Sequence, residues 1–160
     1  MMTLARRYRF SASHRLHSPE LSDAANSRVY GKCNNPFGHG HDYVLEIAVT
    51  GPVDPRTGLI ISTSALDRFV RLHILQLFAN RNINADLPQF ARLVATTENI
   101  ALVIAGLIQQ HWAASFGAIP ARVQRVHVQE TRRNGFEVIL PAAAGKSQAR
   151  IGAERILVHG

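Results

Sequence analysis

The chain has 160 residues, the usual length of one domain, and 46% of them are hydrophobic, which is enough to build a buried core. No uninterrupted apolar run approaches the roughly 18 residues of a membrane-spanning helix, so we expect a soluble globular protein with no membrane partner. The formal charge of +7 comes mostly from scattered arginines, without the interleaved aromatic residues typical of nucleic-acid binders, so we expect no nucleic-acid partner. The positive charge is then either a general basic surface or a means of attracting an anionic, phosphorylated small substrate.

The cysteine content and the first residues bear on the compartment. Cys33 is the only cysteine, so the chain cannot form an internal disulfide, and a reducing compartment such as the cytoplasm is expected. The first residues, MMTLARR, contain arginines that no apolar segment follows, and we do not expect a signal peptide.

Two alternating segments predict the first two strands. Residues 4 to 14 alternate between an apolar face that ends in His14 and a face of arginine and serine. Residues 15 to 38 are rich in glycine, asparagine and proline and predict a loop. The apolar residues of that loop suggest that it is partly packed; they are Leu16, Leu21, Val29 and Tyr30. Alternation returns over residues 39 to 50, where His39 and His41 begin the face that continues through Tyr43 to Val49.

The histidines of these strands form a candidate metal site. Residues two apart on a strand project from the same face, so His39 and His41 can point at one ion. His14 is the best candidate for a third ligand, and three histidines around zinc leave the open fourth position of a catalytic site. Taken alone, a His-x-His pair also fits exposed or simply hydrogen-bonded histidines. A lone cysteine is usually a small buried side chain, although Lys32 would favour the thiolate of Cys33.

Two helices are predicted in the middle of the chain. After a turn at residues 51–58 and an extended segment from Leu59 to Ile61, a helix begins near Ser62 to Ser64. Its apolar stripe is Leu66, Phe69, Val70, His73, Ile74 and Leu77. A polar loop at residues 79–88 separates it from a second helix, which Thr96 or Thr97 can cap, with Glu98 in the first turn. The stripe of the second helix is Ile100, Val103, Ile104, Leu107, Ile108 and His111.

The last pattern predicts a hairpin. Residues 122–131 and 135–140 read as two strands joined by a turn at Arg133-Asn134-Gly135. The order of two strands, two helices and two strands predicts an α+β fold, with a four-stranded antiparallel sheet and both helices on one face. We expect residues 1–140 to form a single domain and residues 141–160 to be a C-terminal extension that is flexible or adds a short strand.

Several of these segments resemble the motifs of one enzyme family, in the same order along the chain. The motifs are FSASHRL at residues 10–16, GKCNNPFGHGHDY at 31–43, VDPRTG at 53–58, TTEN at 96–99 and QET at 129–131. Together they are similar to the 6-pyruvoyl-tetrahydropterin synthase family, which also contains the 6-carboxytetrahydropterin synthases. The long cysteine loop and the TTEN segment are more similar to the pyruvoyl branch.

The resemblance implies a fold, an assembly and a set of site residues. The fold is the tunnelling fold, in which three subunits close a barrel and two trimers stack into a homo-hexamer with active sites between subunits. His14, His39 and His41 would hold zinc, Cys33 would be the catalytic base, and Glu130 would anchor the pterin through two charge-assisted hydrogen bonds. The remaining substrate-binding residues around the pocket would be Thr96, Thr97 and Glu98.

The implied reaction is a lyase step on dihydroneopterin triphosphate. Zinc would act as a Lewis acid on the side-chain oxygens, Cys33 would remove the acidified proton, and triphosphate would be eliminated. Basic residues such as Arg15, Arg28 and Lys32 could receive the triphosphate.

One segment departs from the family pattern. The loop after the first helix usually carries an Asp-His pair that shuttles the proton with the cysteine, and Ala79 and Asn80 stand in those positions here. Neither side chain exchanges a proton near neutral pH, and the loss of a relay typically costs about 10²- to 10⁴-fold in rate. We therefore expect altered or reduced pterin-lyase activity. The alternatives are a 6-carboxytetrahydropterin synthase-like or side-chain-cleaving enzyme, and a catalytically impaired pterin-binding protein.

Overall fold

The described part of the chain contains five strands and five α-helices, together with short 3₁₀ and π-helical segments. The computed structural model describes residues 1–117 and 119–141. The strands are β1 (Met2–His14), β2 (His39–Gly51), β3 (Arg81–Asn82), β4 (Arg122–Gln129) and β5 (Gly135–Ile139). The helices are α1 (Asp23–Tyr30), α2 (Thr63–Val70), α3 (Gln76–Phe78), α4 (Ile83–Asp86) and α5 (Thr97–Phe116). None of the helices in this part of the chain combines the length and hydropathy needed to cross a bilayer.

All five strands belong to one sheet, in the order β3-β1-β2-β4-β5. The β1–β2, β2–β4 and β4–β5 pairs are antiparallel, as predicted. The sheet has one strand more than the four that were predicted. The added strand is β3, whose two residues pair in parallel with Ala12 and Ser13 of β1. A two-residue strand carries no alternating pattern, so periodicity could not predict it.

The helices α2 and α5 cover one face of the sheet, which confirms the predicted α+β layering. The side chains of Tyr43, Leu45 and Ile47 on β2 are fully buried beneath Leu66 and Ile104 of these helices, in one apolar core. Thr96 caps α5 through the bond that its Oγ1 accepts from the backbone of Asn99, 3.4 Å away.

The first long helix contains a π-helical segment at Arg71–Leu75 between α2 and α3. Because a π-turn holds an extra residue, the buried positions run through Val70, Ile74 and Phe78 at every fourth residue. Leu77 was predicted to lie on the buried stripe, but its side chain is 41% exposed. The buried residues predicted from the 3.6-residue period of an α-helix are therefore correct up to Ile74, and the prediction fails at Leu77, after the π segment.

Two predicted loops contain helices. Residues 15–38 include α1, whose first turn is capped by Ser22, and the short 3₁₀ turn Gly31–Asn34. This loop is packed through the fully buried amide of Asn26 and not through Val29, which is 63% exposed. The loop at residues 79–88 contains β3 and α4, whereas the segment Leu59 to Ile61 forms no strand.

The C-terminal hairpin is present, although its connection begins earlier than predicted. β4 ends at Gln129, and backbone bonds from Glu130 and Thr131 to the carbonyl of Asn134 close the turn. The predicted extension at residues 141–160 lies outside the described residues except for Pro141.

Candidate metal centre and substrate site

Three histidines converge at one end of the sheet. The register of the β1–β2 pair places His14 directly opposite His39, and His41 follows two residues later on the same face of β2. One ring nitrogen from each histidine lies within 4.8 Å of the others, and Nε2 of His14 is 3.2 Å from Nε2 of His39. The rings meet nearly edge to face, with centroid separations between 4.7 and 5.1 Å. Among the described residues, this is the one group of at least three His, Cys, Asp or Glu side chains with metal-site spacing.

A backbone carbonyl fixes the tautomer of His14. The Nδ1 atom of His14 lies 2.7 Å from the carbonyl oxygen of Ala95, just before α5, and a carbonyl can only accept a hydrogen bond. The proton of the neutral ring must therefore be on Nδ1, which leaves a lone pair on Nε2 that faces the other histidines. A ligand histidine whose second nitrogen is held by a carbonyl is the usual arrangement around metals.

Burial keeps two of these rings in the form that a metal requires. His14 is 1% exposed, and desolvation lowers its pKa below the ordinary value of 6.5, against the opposing effect of the Ala95 hydrogen bond. Desolvation likewise lowers the pKa of His39, and the nearby His41 adds to the effect. Both rings are therefore neutral near neutral pH, and a neutral ring can bind a metal ion.

The charge arrangement of the site fits a cation. The Oε1 atom of Glu130 lies 3.5 Å from Nε2 of His14 and 3.6 Å from Nε2 of His41. A carboxylate oxygen and the lone pair of His14 are both acceptors, and they repel each other unless a positive charge lies between them. Two nitrogens about 2.0–2.1 Å from a tetrahedral zinc are about 3.3 Å apart, close to the separation of the His14 and His39 nitrogens. The donor set therefore fits a divalent metal.

Glu130 connects this centre to the first turn of α5. The buried hydroxyl of Thr97 donates a hydrogen bond of 2.9 Å to Oε1 of Glu130, whose side chain is only 14% exposed. Thr96 is the half-buried N-cap of the same helix, and the next residue after Thr97, Glu98, is exposed. Of the four predicted substrate-binding residues, Glu130 therefore contacts the histidines and Thr97 contacts Glu130, while Thr96 and Glu98 are the chain neighbours of Thr97 at the start of α5.

Cys33 lies on a separate loop that packs beside the end of β1. It is half-buried in the 3₁₀ turn, and its carbonyl accepts a 2.9 Å hydrogen bond from the backbone of Leu16. The loop returns to β2 through Gly38, which has a φ of 69°. A Cβ atom at this position would lie 2.8 Å from the carbonyl oxygen of His14. Only glycine fits this approach without strain.

Ala79 and Asn80 lie at the edge of the sheet. They line a surface cavity of about 400 Å³ together with Ser11 and Asp42, on the face away from the helices. Asn80 has a φ of 59°, a conformation that asparagine tolerates better than most residues, and its backbone donates to the carbonyl of Ser11.

The sequence patterns did not reveal two polar groups of the site. The carbonyl of Ala95 belongs to a residue with no polar side chain, so only the folded chain could reveal it. Asn84 was read as part of a polar loop, yet its side chain pairs with the backbone of Arg15, next to a metal-site histidine. An asparagine in a loop gave no signal of that partner.

Comparisons with known proteins define the class. A family model described as 6-pyruvoyl tetrahydropterin synthase matches residues 3–139. The chain is 42% identical over 126 residues to 6-pyruvoyl tetrahydrobiopterin synthase of Poecilia reticulata, covering 78% of this chain and 81% of that protein. It is 41% identical over 132 residues to the human 6-pyruvoyl tetrahydrobiopterin synthase, covering 82% of this chain and 86% of the human one.

The structural comparison agrees. The structure of Caenorhabditis elegans 6-pyruvoyl tetrahydropterin synthase superposes with a TM-score of 0.79 at 35% identity, covering 88% of this chain and 96% of that one. The fold and site therefore define a tunnelling-fold protein of the pterin-synthase type. The chain belongs to the 6-pyruvoyl tetrahydropterin synthase family.

Proposed function

We propose that the chain is a zinc-dependent lyase of tetrahydrobiopterin biosynthesis that acts on dihydroneopterin triphosphate and eliminates triphosphate. The observation that carries this proposal is the convergence of His14, His39 and His41 in a chain that belongs to this family. Zinc suits three imidazole ligands with one open position, and when bound it supplies Lewis-acid polarisation of a substrate oxygen.

Cys33 is proposed as the base. Removal of a proton from the substrate side chain by the Cys33 thiolate leaves the bonding electrons on carbon, and the triphosphate leaves with the electrons of its own C–O bond. The support is the position of Cys33 on a loop bonded to the backbone two residues after His14. Ala79 and Asn80 offer this base no proton carrier, so we expect a turnover below that of relatives with the Asp-His pair.

Glu130 is proposed as the anchor of the pterin. Its carboxylate would accept two charge-assisted hydrogen bonds from the 2-amino-pyrimidinone edge. The support is the orientation of this carboxylate, which accepts a hydrogen bond of 2.9 Å from Thr97 and is only 14% exposed. Thr96, Thr97 and Glu98, at the start of α5, are proposed to surround the same pocket.

The assembly and location are part of the same proposal. A homo-hexamer built as a dimer of trimers and a cytoplasmic location follow from family membership and from the single cysteine, respectively. Residues 1–140 would form the one catalytic domain.

A second function is favoured by one observation, the replacement of the proton carriers by Ala79 and Asn80. A chain that keeps the pocket and lacks the relay could cleave the side chain in another way, act like a 6-carboxytetrahydropterin synthase, or bind pterins without turnover.

One experiment separates these functions. The zinc-loaded protein is incubated with dihydroneopterin triphosphate, and products are separated by chromatography and identified by mass, with Cys33→Ser and Cys33→Ala in parallel. Zinc content and pterin affinity are measured for each variant as controls. The lyase proposal requires that the wild type release triphosphate. Both variants should lose this release while they still bind zinc and pterin.

Three other outcomes would contradict the role of Cys33 or the lyase function. Equal release by wild type and Cys33→Ala would remove Cys33 as the base. A pterin with a shortened side chain would identify side-chain cleavage. Tight binding with unchanged substrate in all three proteins would favour the pterin-binding protein.

A further inference from the structure

We propose that Asn84 is a positioning residue, which holds the junction between the metal-site histidine His14 and the loop of Cys33. Its side-chain amide pairs with both backbone groups of Arg15: Oδ1 accepts from the Arg15 N–H at 2.7 Å, and Nδ2 donates to the Arg15 carbonyl at 3.0 Å. A residue of a neighbouring strand would make the same two hydrogen bonds with its backbone. Here the side chain of Asn84 makes them, directly after β1 ends.

The segment held by Asn84 in turn holds the cysteine loop. Leu16 donates its backbone N–H to the carbonyl of Cys33 at 2.9 Å, and Nε of Arg15 donates to the carbonyl of Asn34 at 3.1 Å. A displacement of Arg15 therefore moves His14 on one side and the Cys33 loop on the other.

The segment that carries Asn84 is itself well anchored. The side chain of Ile83 is fully buried, and Oδ1 of Asn82 caps the short helix by accepting from the backbone of Asn84 at 3.1 Å. Before that, β3 pairs with β1 at Ala12 and Ser13. Asn84 therefore connects a well-anchored segment to Arg15, whose own side chain contacts the loop of Cys33.

The inference rests on the proposed site, and its test does not depend on turnover. Asn84→Ala leaves the N–H and carbonyl of Arg15 without their partner, so the junction loosens. We expect about 10- to 100-fold weaker zinc binding, the usual effect of removing a group that orients a metal ligand. We also expect Cys33, the only cysteine, to react several-fold faster with iodoacetamide, because its loop opens more often.

Asp54→Ala is the matched control. The side chain of Asp54 also accepts two backbone hydrogen bonds, from Arg56 at 2.7 Å and from Thr57 at 3.3 Å, in the turn after β2, at the opposite end of that strand from His39. Its loss removes the same number of contacts far from the site, so it should change neither zinc affinity nor the rate of Cys33 alkylation. Asn84→Asp keeps the acceptor for the Arg15 N–H but sets a carboxylate oxygen against the Arg15 carbonyl, where the two acceptors repel each other, so it should not restore the wild-type values.

Zinc affinity and alkylation rate are measured for all four proteins well below their unfolding temperatures. The proposal is overturned if Asn84→Ala stays within about twofold of wild type in both measurements, or if Asp54→Ala shows the same changes. If the wild type binds no zinc, the proposed function fails, and the alkylation rates still decide the role of Asn84.

Discussion

At the scale of single residues, His14 combines three requirements of the site. It ends the long strand β1, its Nδ1 is held by the carbonyl of Ala95, and its free Nε2 faces His39 and the carboxylate of Glu130. Burial keeps its ring neutral, because desolvation lowers its pKa. A histidine oriented in this way loses little entropy when it binds a metal ion, since its position is set before the ion arrives.

The proposed anchoring role of Glu130 leads to a test with single substitutions. Pterin itself, which lacks the side chain of the substrate, should bind through its amino edge alone. Glu130→Gln removes the charge of the carboxylate proposed for that edge, so it should weaken pterin binding about 10- to 100-fold, as expected for lost charge-assisted hydrogen bonds. Glu98→Gln changes an exposed carboxylate in the first turn of α5 and should weaken pterin binding less.

The measurement is a fluorescence titration of pterin into the zinc-loaded proteins. Glu137→Gln serves as a control, because the carboxylate of Glu137 pairs with Arg125 on the open sheet face. Pterin binding by Glu130→Gln that equals that of the wild type would contradict the anchoring role of Glu130.

At the scale of elements, the two long helical segments meet through a pair of stacked histidines. His73 lies in the π segment and His111 in α5, and their rings are 4.3 Å apart at an angle of 16°. Phe69 packs against His73 with a centroid distance of 4.9 Å. Desolvation, followed by the charge of His111, lowers the pKa of His73 below its ordinary value of 6.5. His73, which was predicted to lie on the apolar stripe of the first helix, is half-buried.

This pair predicts a loss of stability in mild acid. The folded chain binds a proton at His73 less readily than the unfolded chain does, so stability is complete above the unfolded pKa of about 6.5 and falls as the pH drops below it. Thermal unfolding of the wild type between about pH 7.5 and about pH 5.5 should therefore show a falling Tm.

His73→Gln should reduce that slope, because it removes one of the groups that take up protons on unfolding. The control is His17→Gln, whose ring lies outside the helical layer beside Asn34. A slope in His73→Gln as steep as that of the wild type would contradict the prediction.

At the scale of the whole molecule, the sheet is open and charged on the face away from the helices. Glu46 binds Arg7 on one side and Arg125 on the other, each at 2.6 Å, and Arg125 continues to Glu137 at 3.3 Å. These contacts lower the pKa of Glu46, with the Arg7 hydrogen bond as the largest cause. Within the described residues, β5 pairs with another strand on one side alone, so its outer backbone groups are free to pair with a second copy.

The free edge predicts a larger assembly. The proposed homo-hexamer implies that the purified chain has about six times its 17.6 kDa mass. Light scattering coupled to size-exclusion chromatography measures this mass directly. Replacing Ile139 by proline in β5 should shift the mass downward. The N–H of Leu140 bonds to Gln124, so the N–H of its neighbour Ile139 points to the free edge, where proline cannot donate a hydrogen bond. A monomer for the wild type at micromolar concentration would contradict the hexamer.

Local patterns in the sequence were sufficient for much of the fold and for the identity of the metal-site residues. The alternation in β1 and β2, the stripe of α5 and its cap at Thr96 depend on residues close in sequence, so periodicity could predict them. The spacing of His39 and His41 placed both on one face for the same reason.

The remaining features depend on contacts between distant residues, which only the tertiary structure could decide. The pairing of His14 with His39 follows from the register of two strands, and the Ala95 carbonyl reaches His14 from a segment 81 residues later. Glu130 comes to the histidines only when the sheet assembles, and Asn84 meets Arg15 because β3 folds beside β1. A sequence pattern contains the period of each element but not the partner of a side chain, because that partner is fixed by packing.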